Sequence, residues 1–166
     1  MAAVDYYLKI EGIPKGESSD DQYKGSDGWI QIESWSFGES QGGTMAYGGG
    51  GGAGKVQMQD FHFTMKVNTA SPKLFLACAT GEHFTKATVH ARKAGAKQQT
   101  FYTVIFSDCL VSSFQTSGSG GSDVIPMESI SLNFSKIELE YKEQSKDGSV
   151  GAAQKVGYDL KANKKI

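Results

Sequence analysis

The feature that most constrains this chain's fold is an alternation of apolar and polar residues that changes phase within three extended segments. The first change separates Ile30 and Ile32 from Trp35 and Phe37. The second separates Val56 and Met58 from Phe61, Phe63, Met65 and Val67. The third separates Ile130, Leu132 and Phe134 from Ile137, Leu139 and Tyr141. Because successive side chains of a strand point to opposite faces, a phase change indicates a bulge or a bend. Three of them predict a mainly β fold of bent antiparallel strands, as a small closed β-barrel or two packed sheets.

The other elements follow from local signals. Further strands are predicted at these places: 3–10, 84–93, 100–116, 127–142 and 155–161. The polar segment 13–28 and the Gly/Ser-rich segment 117–123 are predicted loops. One short flanking α-helix is expected from Ser71, as the N-cap before Pro72, to the terminating Gly81. We expect its apolar residues to plug an open end of the β structure: Leu74, Phe75, Leu76 and Cys78.

Length and charge restrict the class of protein. A chain of 166 residues is long enough for one domain with its own core, here residues 1–166. The net charge of −1 provides no field that would favour nucleic acid or an anionic membrane. No apolar stretch is long enough to span a membrane, and the N-terminus has no basic segment followed by an apolar core. We therefore expect a chain made in the cytoplasm without a secretory signal, with no nucleic-acid partner and no membrane insertion.

Five consecutive glycines, Gly48 to Gly52, are costly to order, by about 5–10 kcal/mol in backbone entropy. Gly49 and Gly54-Lys55 have the spacing of a nucleotide-binding Walker A motif. Val56 replaces its hydroxyl residue, and a predicted strand follows where the motif needs a helix. The run therefore predicts either a flexible loop between strands or an arm that becomes ordered against another subunit.

The sequence contains little that could support catalysis. His62, His83 and His90 lack the spacing of zinc ligands, and no G-x-S-x-G nucleophile motif is present. Cys78 and Cys109 are best interpreted as small buried apolar residues, although a disulfide between them stays open. We expect no enzyme activity, no cofactor and no metal.

Three aromatic residues, Trp29, Trp35 and Phe37, leave a second class of function open. They could form a sugar-binding platform on a monomeric carbohydrate- or protein-binding β module. The phase of the alternation instead favours Trp35 and Phe37 in the core. Glu138 and Glu140 are expected to be solvated charges on an exposed strand face.

An ordered set of short segments carries a family resemblance along nearly the whole chain. The segments are 5–10, 15–18, 35–38, the glycine run ending at Val56, 77–78, 81–83, 92–95, 110–113, 132–134 and 157–160. Together they resemble the haemolysin-coregulated protein (Hcp) family, the tube proteins of bacterial type VI secretion systems.

The resemblance implies a small closed barrel similar to phage tail-tube proteins, and a structural function. Subunits would form homohexameric rings around a wide pore, and rings would stack into a tube inside a contractile sheath, capped by a spike protein. The tube would be expelled on contraction, and its lumen would carry and protect effector proteins.

Two sets of residues are then candidates for contacts with partners. Ser34 and Ser36, which face away from Trp35, are expected to border the lumen. An arm over 42–55 is expected to contact the next subunit or ring, with Met45 and Tyr47 as anchors. Its other candidate residues are Gly48, Gly49, Gly50, Gly51, Gly52 and Lys55. The strand segment 101–106, apolar on both faces, could also form part of a subunit contact.

Overall fold

The fold consists mainly of antiparallel strands, and the computed structural model describes it for residues 3–43, 53–93, 98–121 and 124–166. These residues form twelve strands, one α-helix and a short 3-10 turn at Gly25–Asp27. The elements are β1 Val4–Ile10, β2 Trp29–Ile32, β3 Ser34–Ser36, β4 Glu39–Gly43, β5 Ala53–Met58, β6 Phe61–Lys66, α1 Ser71–Thr80, β7 His83–Lys93, β8 Thr100–Ser117, β9 Met127–Asn133, β10 Lys136–Gln144, β11 Val150–Asp159 and β12 Lys164–Lys165.

Ten of the described strands form one sheet, and the 18-residue strand β8 is its organising element. Near its start β8 lies between β7 and β10, and its second half pairs with β9. From β7 the sheet continues through β1 to β2, and from β9 it continues through β6 to β3. The strands β4 and β5 form a separate two-stranded sheet.

The three phase changes lie where the chain exchanges one pairing partner for another. Glu33 separates β2, which pairs with β1, from β3, which pairs with β6. Gln59 and Asp60 separate β5 from β6, and Phe134 and Ser135 separate β9 from β10. The expectation of one strand over 127–142 was therefore wrong, because its two halves pair with different parts of β8. The last long strand, β11, begins five residues before the predicted 155.

The core lies between the inward faces of these strands and helix α1. Its largest fully buried side chains are Phe61, Phe63, Phe106, Leu8, Ile10, Ile30, Met65, Leu74, Ile130, Leu132, Val89 and Val104. Trp35 and Phe37 are half-buried and pack against this cluster, which confirms the prediction that they face the core.

Helix α1 covers the core through a narrower stripe than the sequence predicts. Ser71, Leu74 and Ala77, at three-residue spacing, are buried. Phe75 and Leu76 fall outside this stripe and are 59% and 58% exposed, so their predicted role as plugs was wrong. Gly81 ends the helix in the left-handed conformation, at a φ of 68°, as predicted.

Ser71 does not cap the helix as predicted, because the N-cap position is Ala70. The Ser71 hydroxyl accepts a hydrogen bond from the backbone N–H of Asn68 at 3.0 Å and donates one to the buried carboxylate of Glu128. This serine therefore joins the helix to β9.

The predicted loop 13–28 is fixed to the sheet by an aromatic and ionic cluster. The Tyr23 ring stacks on Tyr7 with centroids 4.4 Å apart, and its hydroxyl lies 3.1 Å from Nδ1 of His90. The buried Arg92 guanidinium lies 3.0 Å from the Asp20 carboxylate and 5.2 Å from the Tyr23 ring centroid. Burial, followed by the negative charge of Asp20, raises the pKa of Tyr7 to about 12.

Candidate interaction surfaces

Two rows of polar side chains cross one face of β3, β6, β9 and β8, and all of them except the buried Ser131 are exposed or half-buried. Because the strands pair in register, these residues line up across the sheet. The first row is Ser36, His62, Ser131 and Ser113, and the second row is Ser34, Thr64, Ser129 and Gln115. We call these eight residues the hydroxyl face.

Hydrogen bonds between neighbouring strands hold the hydroxyl face in place. The hydroxyls of Ser34 and Thr64 are 2.6 Å apart. A register shift between Val111 and Ser113 brings two hydroxyls to Ser131, from Ser112 at 2.8 Å and Ser113 at 2.5 Å. At its edge, the Asp60 carboxylate accepts hydrogen bonds from Ser112 at 2.6 Å and from the Asn133 side chain at 2.8 Å. The face is therefore small, polar and pre-organised.

Ser34 and Ser36 are both exposed and lie on the hydroxyl face, opposite to the partly buried Trp35. Sequence reasoning identified these two because they belong to one strand. It missed the other six, whose alignment depends on which strands pair. The alternating polar positions of β6, His62 and Thr64, were a signal that could have extended the face.

The predicted arm is described only at its base. Strands β4 and β5 pair antiparallel, and Lys55 is exposed within β5. Met45, Tyr47 and the glycines 48–52 lie outside the described residues. Because Lys55 lies inside a strand, Gly54 does not precede the helix N-terminus that a phosphate-binding loop needs.

An apolar groove of about 560 Å³ lies between the β4–β5 pair and the β10–β11 hairpin. Its lining residues are Phe37, Glu39, Ser40, Gln41, Val56, Met58, Ile137, Leu139, Val156, Gly157 and Tyr158. Val156 is 65% exposed, and Glu39 lies on the rim. The groove is therefore an accessible apolar extension of the core.

The polar side of the β10–β11 hairpin carries ion pairs. Glu140 lies 3.6 Å from Lys142, and Glu138 lies 3.8 Å from Lys155. Both glutamates are half-buried, which is less exposed than the sequence predicts, because strands β8 and β11 flank them. Such pairs near the surface contribute little to stability, about 0–1 kcal/mol each.

In the part of the chain that the structure describes, the titratable side chains form no candidate metal site. Within residues 3–43, 53–93, 98–121 and 124–166, no group of three or more His, Cys, Asp or Glu side chains could hold a metal ion. Cys78 and Cys109 are both free, and burial together with the neighbouring Asp108 raises the pKa of Cys109 to about 12. Burial also lowers the pKa of His90. Across the same described residues, no helix is long and apolar enough to cross a membrane.

Comparison with known proteins identifies the family of this chain. The family model described as "Type VI secretion system effector, Hcp" matches residues 7–141. Protein hcp1 of Pseudomonas aeruginosa is 42% identical over 163 residues, which are 97% of this chain and 98% of that protein. The crystal structure of Hcp1 from Salmonella typhimurium is 36% identical over 100% of both chains, with a TM-score of 0.79.

A second solved structure, described as a type six secretion system protein, has a TM-score of 0.91 and 30% identity. The comparison covers 99% of this chain and 100% of that one. The family match over most of the chain agrees with the fold match over nearly all of it. The chain therefore belongs to the Hcp family of type VI secretion, whose members are structural, secreted tube proteins and not enzymes.

Proposed function

We propose that this chain, folded as one domain over residues 1–166, assembles into homohexameric rings that stack into the inner tube of a type VI secretion system. Family membership supports the proposal, and the hydroxyl face is the single observation that carries it. If this face lines the lumen, its two rows offer cargo neither a charged patch nor an apolar one. Such a wall holds diverse effector proteins weakly and lets them slide, because strong binding needs desolvated apolar or charged anchors.

The proposal includes closure of the main sheet into a barrel at Glu33. Only this residue separates β2 from β3, and its backbone N–H donates to the carbonyl of Thr64 at 2.8 Å. With β2 and β3 taken as one bent strand, the pairing runs from β1 through β7, β8, β9 and β6 back to β3. Side chains fill the interior of such a small barrel, so the pore lies between subunits.

The partners follow from this role. Self-assembly comes first, in rings and then in stacks of rings, within a contractile sheath and under a spike protein. Assembly takes place in the cytoplasm, and export through the type VI apparatus requires no signal peptide. The arm, with Met45 and Tyr47 as anchors, contacts the next subunit or ring.

Size-exclusion chromatography with light scattering tests the assembly. We expect a mass of about six chains, which is the ring size that the family resemblance implies, closed by one repeated head-to-tail interface. A monomer at every accessible concentration would refute ring formation and favour the alternative monomeric binding module.

The lumen assignment is tested separately with Ser36→Arg. We expect the ring mass to be unchanged and the retention of a co-expressed effector of the same secretion system to fall. Ser119→Arg, at an exposed serine outside the hydroxyl face, is the matched control. Normal effector retention by Ser36→Arg would show that this face does not contact cargo.

The arm is tested by deleting residues 47–50. Rings should still form, and electron microscopy should show fewer or shorter tubes than for the unaltered chain. Equal tube formation would remove the arm from the stacking contact.

A further inference from the structure

Helix α1 presents two large apolar side chains to solvent. Phe75 and Leu76, which we call the helix patch, are 59% and 58% exposed. The Phe75 ring meets Phe114 of β8 edge-on, with centroids 5.8 Å apart, so the patch is held against the sheet. The solvent-facing side of a surface helix is normally polar, because apolar side chains there remain in contact with water and do not stabilise the fold. An exposed apolar pair on a supported helix therefore indicates a contact surface.

The apolar groove is a second accessible apolar surface and lies elsewhere on the same chain. Its walls Ile137 and Leu139 pair with Phe106 and Val104, in the first half of β8. The helix patch lies against Phe114, in the second half. Phe106 and Phe114 lie on either side of the irregular backbone at Asp108. The contact of Phe75 with Phe114 and the burial of Leu74 hold helix α1 in place, so a chain cannot place its patch in its own groove.

We propose that the helix patch of one copy of this chain docks into the apolar groove of the next copy. This inference rests on the proposed self-assembly and identifies the surfaces that meet. A patch and a groove at different places on one chain make a head-to-tail interface, and such an interface generates a ring when its rotation closes.

Charge at the edge of both surfaces supports a second copy as the occupant. Lys73 is exposed and lies three residues before Leu76, on the same side of the helix. Glu39 is exposed on the rim of the groove. When Leu76 enters the groove, Lys73 can approach Glu39, so opposite charges border the apolar contact.

Docking also gives the β4–β5 pair a stabilising layer. A two-stranded sheet is marginally stable by itself in water. Val56 and Met58 of β5 form one wall of the groove, so a docked helix would pack against that wall. The same contact would therefore close the ring and fix the base of the arm.

Substitution gives the first test. We expect Leu76→Asp and Val156→Asp each to weaken ring association at least tenfold, measured by light scattering over a dilution series. Ile125→Asp, at a 52% exposed residue outside the groove and the patch, is the matched control and should leave association unchanged. Circular dichroism on each variant separates loss of assembly from loss of folding.

Cross-linking gives a test that does not depend on weakening the ring. The variant combines Leu76→Cys and Val156→Cys in a Cys78→Ser background, leaving the buried Cys109 in place. A short bismaleimide tolerates a wider separation than a disulfide, which needs Cα atoms within about 7 Å. We expect a ladder of covalent oligomers that ends at the ring size, and no ladder from either single-cysteine variant.

The outcomes distinguish the two proposals. If the unaltered chain forms rings but the double-cysteine variant gives no ladder and both aspartate variants assemble normally, the docking surfaces are wrong and the ring assignment stands. If the unaltered chain is a monomer, both proposals fail. A ladder together with weakened aspartate variants supports the patch-to-groove contact.

Discussion

Asp20 anchors the segment 13–28, and its replacement by alanine should destabilise the protein strongly. Its carboxylate accepts hydrogen bonds from the backbone N–H groups of Gln22 at 2.8 Å and Tyr23 at 3.2 Å. It also accepts one from the Arg92 guanidinium at 3.0 Å. Arg92 has only 4% of its side chain exposed, so Asp20→Ala leaves a buried cation without its carboxylate.

The expected cost follows from this geometry. Removing one partner of a buried ion pair costs about 3–5 kcal/mol. The Asp20 side chain is 21% exposed, so water can partly replace it, and we expect the lower end, about 3 kcal/mol. For a chain of 166 residues the unfolding entropy is about 0.35 kcal/mol/K, which gives a fall in Tm of about 9 °C. Asp20→Asn keeps an acceptor for the backbone N–H groups and should cost less.

The assay is thermal and urea unfolding at one protein concentration, with Asp21→Ala as the matched control at an exposed neighbouring carboxylate. Burial alone would raise the pKa of Asp20, but the two backbone hydrogen bonds and Arg92 outweigh it and lower the pKa. The contribution of Asp20 is therefore complete above about pH 4 and lost as the pH falls through the lower folded-state value. If Asp20→Ala and Asp21→Ala unfold within about 0.5 kcal/mol of each other, the cluster does not stabilise the fold as argued.

Three further predictions concern other buried or half-buried groups. Burial lowers the pKa of His90, so the unfolded chain takes up a proton at this residue before the folded chain does. The free energy of unfolding should therefore decrease as the pH falls from about 6.5. Urea titrations at several pH values should show a smaller decrease for His90→Gln. A Cβ at Gly16 would lie 2.2 Å from the backbone oxygen of Trp29, so Gly16→Ala should cost about 1–3 kcal/mol or more in the free energy of unfolding. A maleimide at pH 8 should label the half-buried Cys78 of the native protein and spare Cys109, as mass spectrometry of peptides would show.

Each of these predictions has a direct control or a contradicting result. His83→Gln, at an exposed histidine, should not flatten the pH dependence. Gly120→Ala, where an added Cβ meets nothing within 4 Å, should change stability by less than about 0.5 kcal/mol. Equal labelling of both thiols in the native protein would contradict the burial of Cys109.

The sequence predicted where the chain bends but not which strands pair. The phase changes at 33, 59–60 and 134–135 are visible because side-chain alternation is a local property. The phase change at 134–135 marks the division of 127–142 into β9 and β10, but it does not show that β9 pairs with β6 and the second half of β8 while β10 pairs with β11 and the first half of β8. For the same reason the sequence identified two residues of the hydroxyl face in one strand and missed the six that reach it from three other strands.

Helix α1 shows a second limit of sequence reasoning. Its ends were predicted within one residue, because proline and glycine mark them chemically. The face of the helix that is buried was not predicted correctly. Nearly every position from 74 to 79 is apolar, so this short helix has no clear amphipathic stripe. The structure buries Leu74 and Ala77 and leaves Phe75 and Leu76 outside. Two of the four residues that the pattern assigned to the core, Phe75 and Leu76, are therefore available to a neighbouring copy.

One backbone irregularity in β8 lies between these surfaces within one chain. Asp108, with a φ of 52°, lies in the left-handed region that non-glycine residues seldom adopt, and its carboxylate accepts a hydrogen bond from the Ser135 hydroxyl at 2.9 Å. Before this residue β8 pairs with β10, which forms one wall of the apolar groove. After this residue β8 pairs with β9, carries part of the hydroxyl face and contacts the helix patch through Phe114. The backbone conformation at Asp108 therefore contributes to the angle between the groove and the patch. In a ring closed by patch-to-groove contacts, that angle determines the rotation from one subunit to the next, and with it the number of subunits and the direction in which every hydroxyl face points.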